Sequence, residues 1–233
     1  MLILLMGGAS YGQKVGLVFS GGGASGVSHI GVLKALEEHE IPIDYISGTS
    51  MGALVGGLYS AGYSPSEIEA LFVSPQFKEW AEGILDEKYV YYLREKDDNP
   101  SLFRLKIDLD TLLETTLPTN LISPVAVDYG LMEYLAPSSA AAGNNFDELF
   151  IPFRCVASDI ISKKAVVLKD GNLATAVRAS MSYPFYLSPV TYQDKLLFDG
   201  GLYNNFPSDV MYEDFFPDYI IGSNVSSNFA PPG

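Results

Sequence analysis

Gly48-Thr49-Ser50-Met51-Gly52 places a hydroxyl between two glycines. A serine at that spacing is a nucleophile wherever a sharp strand-to-helix turn lifts its oxygen clear of a sheet. Two other stretches carry the groups such a serine needs. Ser20-Gly21-Gly22-Gly23-Ala24-Ser25-Gly26 is bare backbone opening a helix, where exposed amides suit negative charge, either a phosphate or the oxyanion of an ester under attack. Leu196-Leu197-Phe198 runs into Asp199-Gly200-Gly201, a carboxylate at a strand end that is also an ordinary Asp-Gly turn signal. Nucleophile, oxyanion donors and base are the parts of acyl transfer.

A serine hydroxyl needs a base, and histidine is the usual one. His29 and His39 both precede Ser50, whereas an α/β-hydrolase triad runs Ser, Asp or Glu, then His. Other folds use other orders, so chain order alone does not remove His29. The glycine loop nevertheless puts it just inside a helix, where a buried, hydrogen-bonded role is expected, and His39 among Glu37, Glu38 and Glu40 reads as solvated. A Ser50-Asp199 dyad is left, workable if burial limits solvation of the carboxylate and it bonds the serine directly.

The elements that must hold these groups read as an α/β chain. Val15–Phe19 is an apolar run suited to a strand buried on both faces of a parallel sheet. The glycine loop and a helix over Val27–Glu38 follow, and then a short β-prone run, Asp44–Ser47, leads through the serine turn into a small-residue helix, Met51–Ala61. Gly48 and Gly52 let strand and helix approach closely. The glycine loop also fits Gly-x-Gly-x-x-Gly, with Asp44 placed 18 residues beyond Gly26 like a ribose-binding acid. The dinucleotide reading loses ground because Asp44 precedes its strand and that strand enters the serine turn.

Further along, Ser64-Pro65-Ser66-Glu67 is a capping box ahead of a short helix, Ile68–Val73. Pro75–Pro118 reads as an insertion near the mouth of the site, with Trp80, Tyr89, Tyr91 and Tyr92 among charges and strand-like alternation over Leu102–Leu109. Its aromatics suit either an acyl-chain surface or core packing. A helix starts at Ser123-Pro124 and runs to about Leu135, followed by a small-residue loop over Pro137–Asn145. Strands are expected at Phe153–Ser158 and Ala165–Leu168, a helix at Leu173–Met181, an aromatic, proline-stiffened loop at Tyr183–Pro189, and the last strand at Tyr219–Ser223.

Composition sets outer bounds. A 233-residue chain, 48% hydrophobic and 18% charged, suits one folded domain. A net charge of -14 with 14 Lys and Arg argues against nucleic acid as a partner, and gives no electrostatic help toward anionic lipid, so lipid contact must be apolar or local. Cys155 is the only cysteine, in an apolar run that suits a buried structural thiol, and two histidines with one cysteine are too few for a structural zinc site. No metal or cofactor is expected. Met1–Met6 with the small residues Gly7–Gly12 reads as the end of a secretory signal peptide without its basic region, so residues 1–13 are expected to be a signal remnant. Export is the expectation, with cytoplasmic residence the alternative. The catalytic domain is expected over 14–224, and Ala230-Pro231-Pro232-Gly233 makes 225–233 a linker to further chain.

Gly21-Gly22-Gly23-Ala24-Ser25-Gly26, Gly48-Thr49-Ser50-Met51-Gly52 and Asp199-Gly200-Gly201, with Val177-Arg178-Ala179-Ser180-Met181-Ser182-Tyr183-Pro184, resemble the patatin-like phospholipases in order and spacing. The resemblance spans most of Lys14–Ser223. It implies a three-layer α/β/α fold with a mainly parallel central sheet, and hydrolysis of acyl esters of phospholipids or related lipids taken transiently from a membrane or micelle. Ser50 is then the nucleophile and Asp199 the base. Gly21, Gly22, Gly23 and Gly26 supply the oxyanion hole, while Gly48, Gly52, Gly200 and Gly201 support the turns. The family usually has Arg or Lys where this chain has Ser25, which leaves headgroup preference open. Exported bacterial relatives often continue into a C-terminal β-barrel, which is absent from these residues. The competing expectations are a non-catalytic lipid-binding protein and a nucleotide- or phosphate-binding module.

Overall fold

The computed structural model describes residues 12–84, 104–108, 111–116 and 121–226. The chain runs β1 (Val15–Phe19), α1 (His29–Glu38), β2 (Tyr45–Thr49), α2 (Met51–Ser60), α3 (Pro65–Phe72), α4 (Pro75–Glu82), β3 (Arg104–Asp108) and β4 (Thr111–Thr116). It continues through α5 (Val125–Ala141), β5 (Phe153–Asp159), β6 (Lys164–Leu168), α6 (Leu173–Ser180), β7 (Val190–Tyr192), β8 (Lys195–Asp199), α7 (Ser208–Phe215) and β9 (Tyr219–Ser223). A 3-10 segment, Gly23–Ser28, stands between β1 and α1.

All five residues of β1 are buried, as its unbroken apolar character requires of a strand covered on both faces, and all seven of β5 are buried too, its Arg154 paired with Asp147 and Asp214. The sheet has a parallel core, β9-β1-β2-β5, and an antiparallel flank in which β6 and β8 pair with β5 and β7 pairs with β8. The sheet is thus mainly parallel, as the resemblance implied, with an antiparallel flank at one side.

Alternation along the strands sorts the layers. Leu17, Phe19, Ile46 and Phe153 face one way into the main core with α2, where Gly56 comes against Ile46, Phe153 and Phe19. Gly16, Tyr45 and Ser47 face the other way onto α7 and its approach: Gly16 abuts Met211, Tyr45 stacks on Phe215 with ring centroids 4.5 Å apart, and Ser47 Oγ donates to the Pro207 carbonyl at 3.0 Å. Each fully buried Leu, Ile or Phe of the main core contributes about 1.5–3 kcal/mol.

The register of β5 positions the site. Cys155 and Val156 pair with β2 on one edge and β6 on the other, while Ala157–Asp159 pair with both β6 and β8. Strand β8 therefore takes over the β2 edge where β2 stops. Thr49 lies opposite Val156 and Asp199 opposite the next residue, Ala157, so the end of β2 and the end of β8 meet on one strand.

Several expectations change. Pro75–Glu82 is a capped helix, with the Ser74 hydroxyl accepting from the Phe77 amide and Trp80 buried in the core, rather than part of an insertion. Tyr89, Tyr91 and Tyr92 lie outside the described residues, and the strand-like alternation over Leu102–Leu109 includes β3, which pairs antiparallel with β4. Helix α5 runs through Pro137 to Ala141, where a loop was expected. Contacts from beyond the helix hold its end: Ser138 Oγ donates to the Ala61 carbonyl at 3.0 Å, and Ser139 Oγ accepts from the Leu173 amide at 3.1 Å. Tertiary hydrogen bonds there outweigh the bond a proline removes. Most of the expected signal remnant, residues 1–11, lies outside the described residues, as do residues 227–233 of the expected linker.

Candidate active site

Ser50 stands between β2 and α2 at φ 54° and ψ -122°, a left-handed backbone that a non-glycine residue adopts only when its surroundings enforce it. The enforcement is visible. A Cβ on Gly52 would lie 2.6 Å from the carbonyl oxygens of Phe19 and Ser20, and one on Gly48 would lie 2.6 Å from the Gly52 oxygen. Bare backbone at both positions lets α2 press against the ends of β1 and β2, and the turn between them has room only for a strained Ser50. The Ser50 amide donates to Ser180 Oγ at 2.9 Å, and that hydroxyl donates to the Val156 carbonyl at 2.6 Å, tying the turn back to β5.

The junction on β5 brings Ser50 Oγ to 2.5 Å from Asp199 Oδ2. The other carboxylate oxygen accepts the Gly201 amide at 2.8 Å. Burial raises the Asp199 pKa above the ordinary 3.8, while the bonds from Ser50 and Gly201 pull it down and only partly offset the rise. The result is a carboxylate of increased basicity bonded to a strained serine.

The glycine loop crosses beside this pair. A Cβ on Gly21 would lie 3.2 Å from the Ser50 Cβ. The Gly21 amide, however, donates to the Asn205 carbonyl at 3.0 Å, so it is not available as an oxyanion donor. Gly26 is a buried part of the 3-10 segment, against Met51, and serves packing instead. The Ser25 amide closes the turn onto the Gly22 carbonyl at 3.2 Å, and among the described residues nothing accepts from the amides of Gly22, Gly23 or Ala24. Gly23 has φ 54°, which suits glycine alone without strain. Gly200 lies against the Val156 carbonyl and fixes the Asp199 turn on β5.

His29 is fully buried under this loop and is not part of the pair. Its Nε2 lies 2.9 Å from the Ser20 carbonyl, which can only accept, so Nε2 carries the proton and Nδ1 accepts the Ser223 hydroxyl at 2.8 Å. Burial lowers its pKa, keeping the ring neutral, against a smaller upward pull from Ser20. His39 is exposed. Asp44 receives the Lys14 ammonium at 2.6 Å and the Val15 amide at 2.8 Å, at the end of β1 opposite the glycine loop. It cannot serve a ligand seated on that loop, which removes the ribose-binding role. Cys155 is buried with its pKa raised by desolvation, the state of an inert thiol.

Two cavities meet at Ser50. One, about 560 Å³, is lined by polar backbone and side chains including Gly22, Ser25, Asp199, Asn205 and Ser226. The other, about 460 Å³, is apolar and is lined by Met51, Phe77, Trp80, Val127, Met181 and Leu187 among others. Gly23, Ser50 and Tyr183 border both. The apolar wall is anchored by Arg178, which donates to Ser182 Oγ at 2.6 Å and to the Ser188 carbonyl at 3.2 Å and pairs with Asp128 at 2.6 Å. The Tyr186 hydroxyl adds a bond to the Ala81 carbonyl. An ester whose carbonyl sits at Ser50 would have an apolar arm on one side and a polar arm on the other.

The structure brings together Ser50, Asp199, Gly22 and Gly23 as the sequence implied. Trp80 lines the apolar cavity beside Ser50, as an acyl-chain surface near the mouth would, while sequence reasoning gave no role to Ser180 or Asn205 and missed the lining from α5. Among the described residues no His, Cys, Asp and Glu cluster could hold a metal ion, and no helix is long and apolar enough to cross a membrane.

A family profile described as patatin-like phospholipase matches residues 17–212. Human patatin-like phospholipase domain-containing protein 6 is 33% identical over 202 residues, covering 85% of this chain and 12% of that protein. Lysophospholipase NTE1 of Debaryomyces hansenii is 32% identical over 216 residues, covering 92% of this chain and 12% of that one. The chain thus spans about an eighth of the length of these relatives. The crystal structure of VipD from Legionella pneumophila superposes with a TM-score of 0.51 at 12% identity, covering 83% of this chain and 46% of that one, a likeness of fold.

Proposed function

Because the chain belongs to the patatin-like phospholipase family, we propose that it is a serine lipid acyl hydrolase working through a Ser50-Asp199 dyad. The observation that carries the reading is the 2.5 Å hydrogen bond from a strained Ser50 to a buried carboxylate of raised pKa. Asp199 takes the Ser50 proton as Oγ bonds to the ester carbonyl carbon, and the carbonyl oxygen becomes an oxyanion. The amides of Gly22 and Gly23 donate to it. When the tetrahedral intermediate collapses, the carbon-oxygen bond to the alcohol breaks and Asp199 returns the proton to the departing oxygen. Water, deprotonated by Asp199, then cleaves the acyl-serine, and the proton passes back to Ser50. Loss of one oxyanion donor costs about 10²–10³-fold in rate.

The substrate we favour is a lipid with one acyl chain and a polar alcohol, such as a lysophospholipid. One apolar cavity beside Ser50 suits one chain, the polar cavity suits the alcohol, and a relative bears the name lysophospholipase. Delivery from a micelle or membrane surface fits the exposure of Tyr183 and Phe185 on the loop that walls the apolar cavity, with Leu121 held beside Phe185 by its amide at 2.7 Å.

The test is labelling with a fluorophosphonate probe and release of fatty acid from a lysophospholipid. Wild type should react and both Ser50→Ala and Asp199→Ala should not. Full esterase activity in Ser50→Ala, or no labelling of folded wild type, would end this reading.

A further inference from the structure

The Asn205 side chain is wedged between the two loops that hold the proposed donors and base. A Cβ on Gly21 would meet Asn205 Oδ1 at 2.3 Å, and a Cβ on Gly201 would meet the same oxygen at 2.8 Å. The amide therefore lies close against both glycines. Its Nδ2 donates to the Gly21 carbonyl at 3.4 Å, while its own backbone carbonyl accepts the Gly21 amide at 3.0 Å. One residue thus holds the peptide groups on both sides of Gly21.

The neighbouring residue is already fixed. Ser20 donates its amide to the Ser223 carbonyl at 3.1 Å, gives its carbonyl to His29 at 2.9 Å, and accepts the Val225 amide on its hydroxyl at 2.9 Å. Freedom in the loop begins at Gly21, immediately before the Gly22 and Gly23 amides. On the other side of Asn205, Gly201 is the residue whose amide holds Asp199 Oδ1.

Resting on the hydrolase reading above, we infer that Asn205 is a positioning residue for the oxyanion. Its carboxamide sets the separation between the glycine-loop donors and the Asp199 turn, without itself touching the reacting carbonyl. Preorganised donors stabilise the charge that develops in the transition state and do little for the bound ester. Misplacing them by about 1 Å lowers the rate by up to about 10²-fold.

A matched pair of substrates separates this role from general structural support: an oxygen ester and its thionoester, identical except for C=S in place of C=O. Sulfur is a poor acceptor, so the oxo-to-thiono rate ratio reads the donors. In Asn205→Ala the oxo-ester kcat should fall by about 10- to 10²-fold, the thionoester rate should move little, and the ratio should drop by about the same factor, with any change in KM common to both esters. Equal slowing of both esters, or an unchanged ratio, overturns the inference. If Asn205→Ala does not melt cooperatively, Asn205→Ser, which is also too short to span the two glycines, is read by the same ratio. Failure of the hydrolase reading would look different, since wild type would then cleave neither ester or Ser50→Ala would cleave both.

Discussion

Replacing Gly52 by alanine should disable the site while leaving the fold standing. The added Cβ would meet the Phe19 and Ser20 carbonyl oxygens at 2.6 Å, whereas ordinary contact begins at 3.4 Å, a deficit of 0.8 Å. Both obstacles are backbone and cannot rotate away. Helix α2 must therefore retreat from β1 by most of that distance, and Ser50, two residues before the new methyl, moves with it. The retreat lengthens the 2.5 Å bond to Asp199 and draws Oγ from the Gly22 and Gly23 amides. A displacement near 1 Å costs about 10²-fold in kcat, and overpacking costs about 1–3 kcal/mol, or about 2–12 °C of melting temperature at this chain length. Steady-state kinetics on a soluble ester and a thermal melt are the assays, with Gly31→Ala as the control. Gly31 is exposed in α1 with nothing within 4 Å of an added Cβ, so the same chemical change there should stabilise by about 0.5–1 kcal/mol and leave kcat alone. A Gly52→Ala enzyme with wild-type kcat would refute the account of the turn.

Asp199→Asn should lose hydrolysis yet gain stability at neutral pH. The folded pKa is raised above 3.8, so the folded state holds its proton the more tightly. The stability this lends below the unfolded value is lost as pH rises through the folded one, by about 1.4 kcal/mol for each pH unit that separates the two values. Denaturant melts at pH 4 and pH 8 should show the gain from Asn growing with pH, and a constant difference would contradict it. His29 works in the opposite sense: its folded pKa lies below 6.5, so the unfolded chain gains a proton first as pH falls through 6.5 and stability declines from there. The decline should be shallower in His29→Gln, and equal slopes would dismiss the buried neutral ring. Narrowing the apolar cavity with Val127→Phe should shift the preferred acyl chain shorter, with kcat/KM for the longer chains falling about fourfold per excluded methylene at about 0.8 kcal/mol each. An unshifted chain-length profile would place the acyl arm elsewhere.

What could be read in advance was whatever depends on local backbone. The serine turn, the glycine loop, the capping box at Ser64 and the strand ending at Asp199 are short-range patterns, and each stands where its residues imply. Elements whose limits depend on distant partners were misjudged. Pro137 reads as a helix stop until Ala61 and Leu173 are present to hold the turn around it. Helix α7 went unread because it ends at Phe216 in a left-handed conformation, with no glycine to mark the stop. In the site, Gly21 looks like its glycine neighbours in sequence, and only the Asn205 carbonyl, 184 residues away, distinguishes it. The apolar cavity draws on α4, α5 and the loop after α6; the aromatics around Trp80 hint at it, but the contributions of α5 and of the later loop depend on distant packing.

Strand β5 acts as a ruler against which nucleophile and base are both set, though 149 residues separate them in the chain. Most of what walls the apolar cavity belongs to that intervening stretch and hangs on helices and loops rather than on the ruler. Side-chain changes in α4 and α5, away from β5 and Ser180, can remodel which acyl chain fits while the Ser50-Asp199 spacing stays as it is. Chemistry and selectivity thus rest on different elements, and a designer seeking a new chain preference can vary α4 and α5 without rebuilding the dyad.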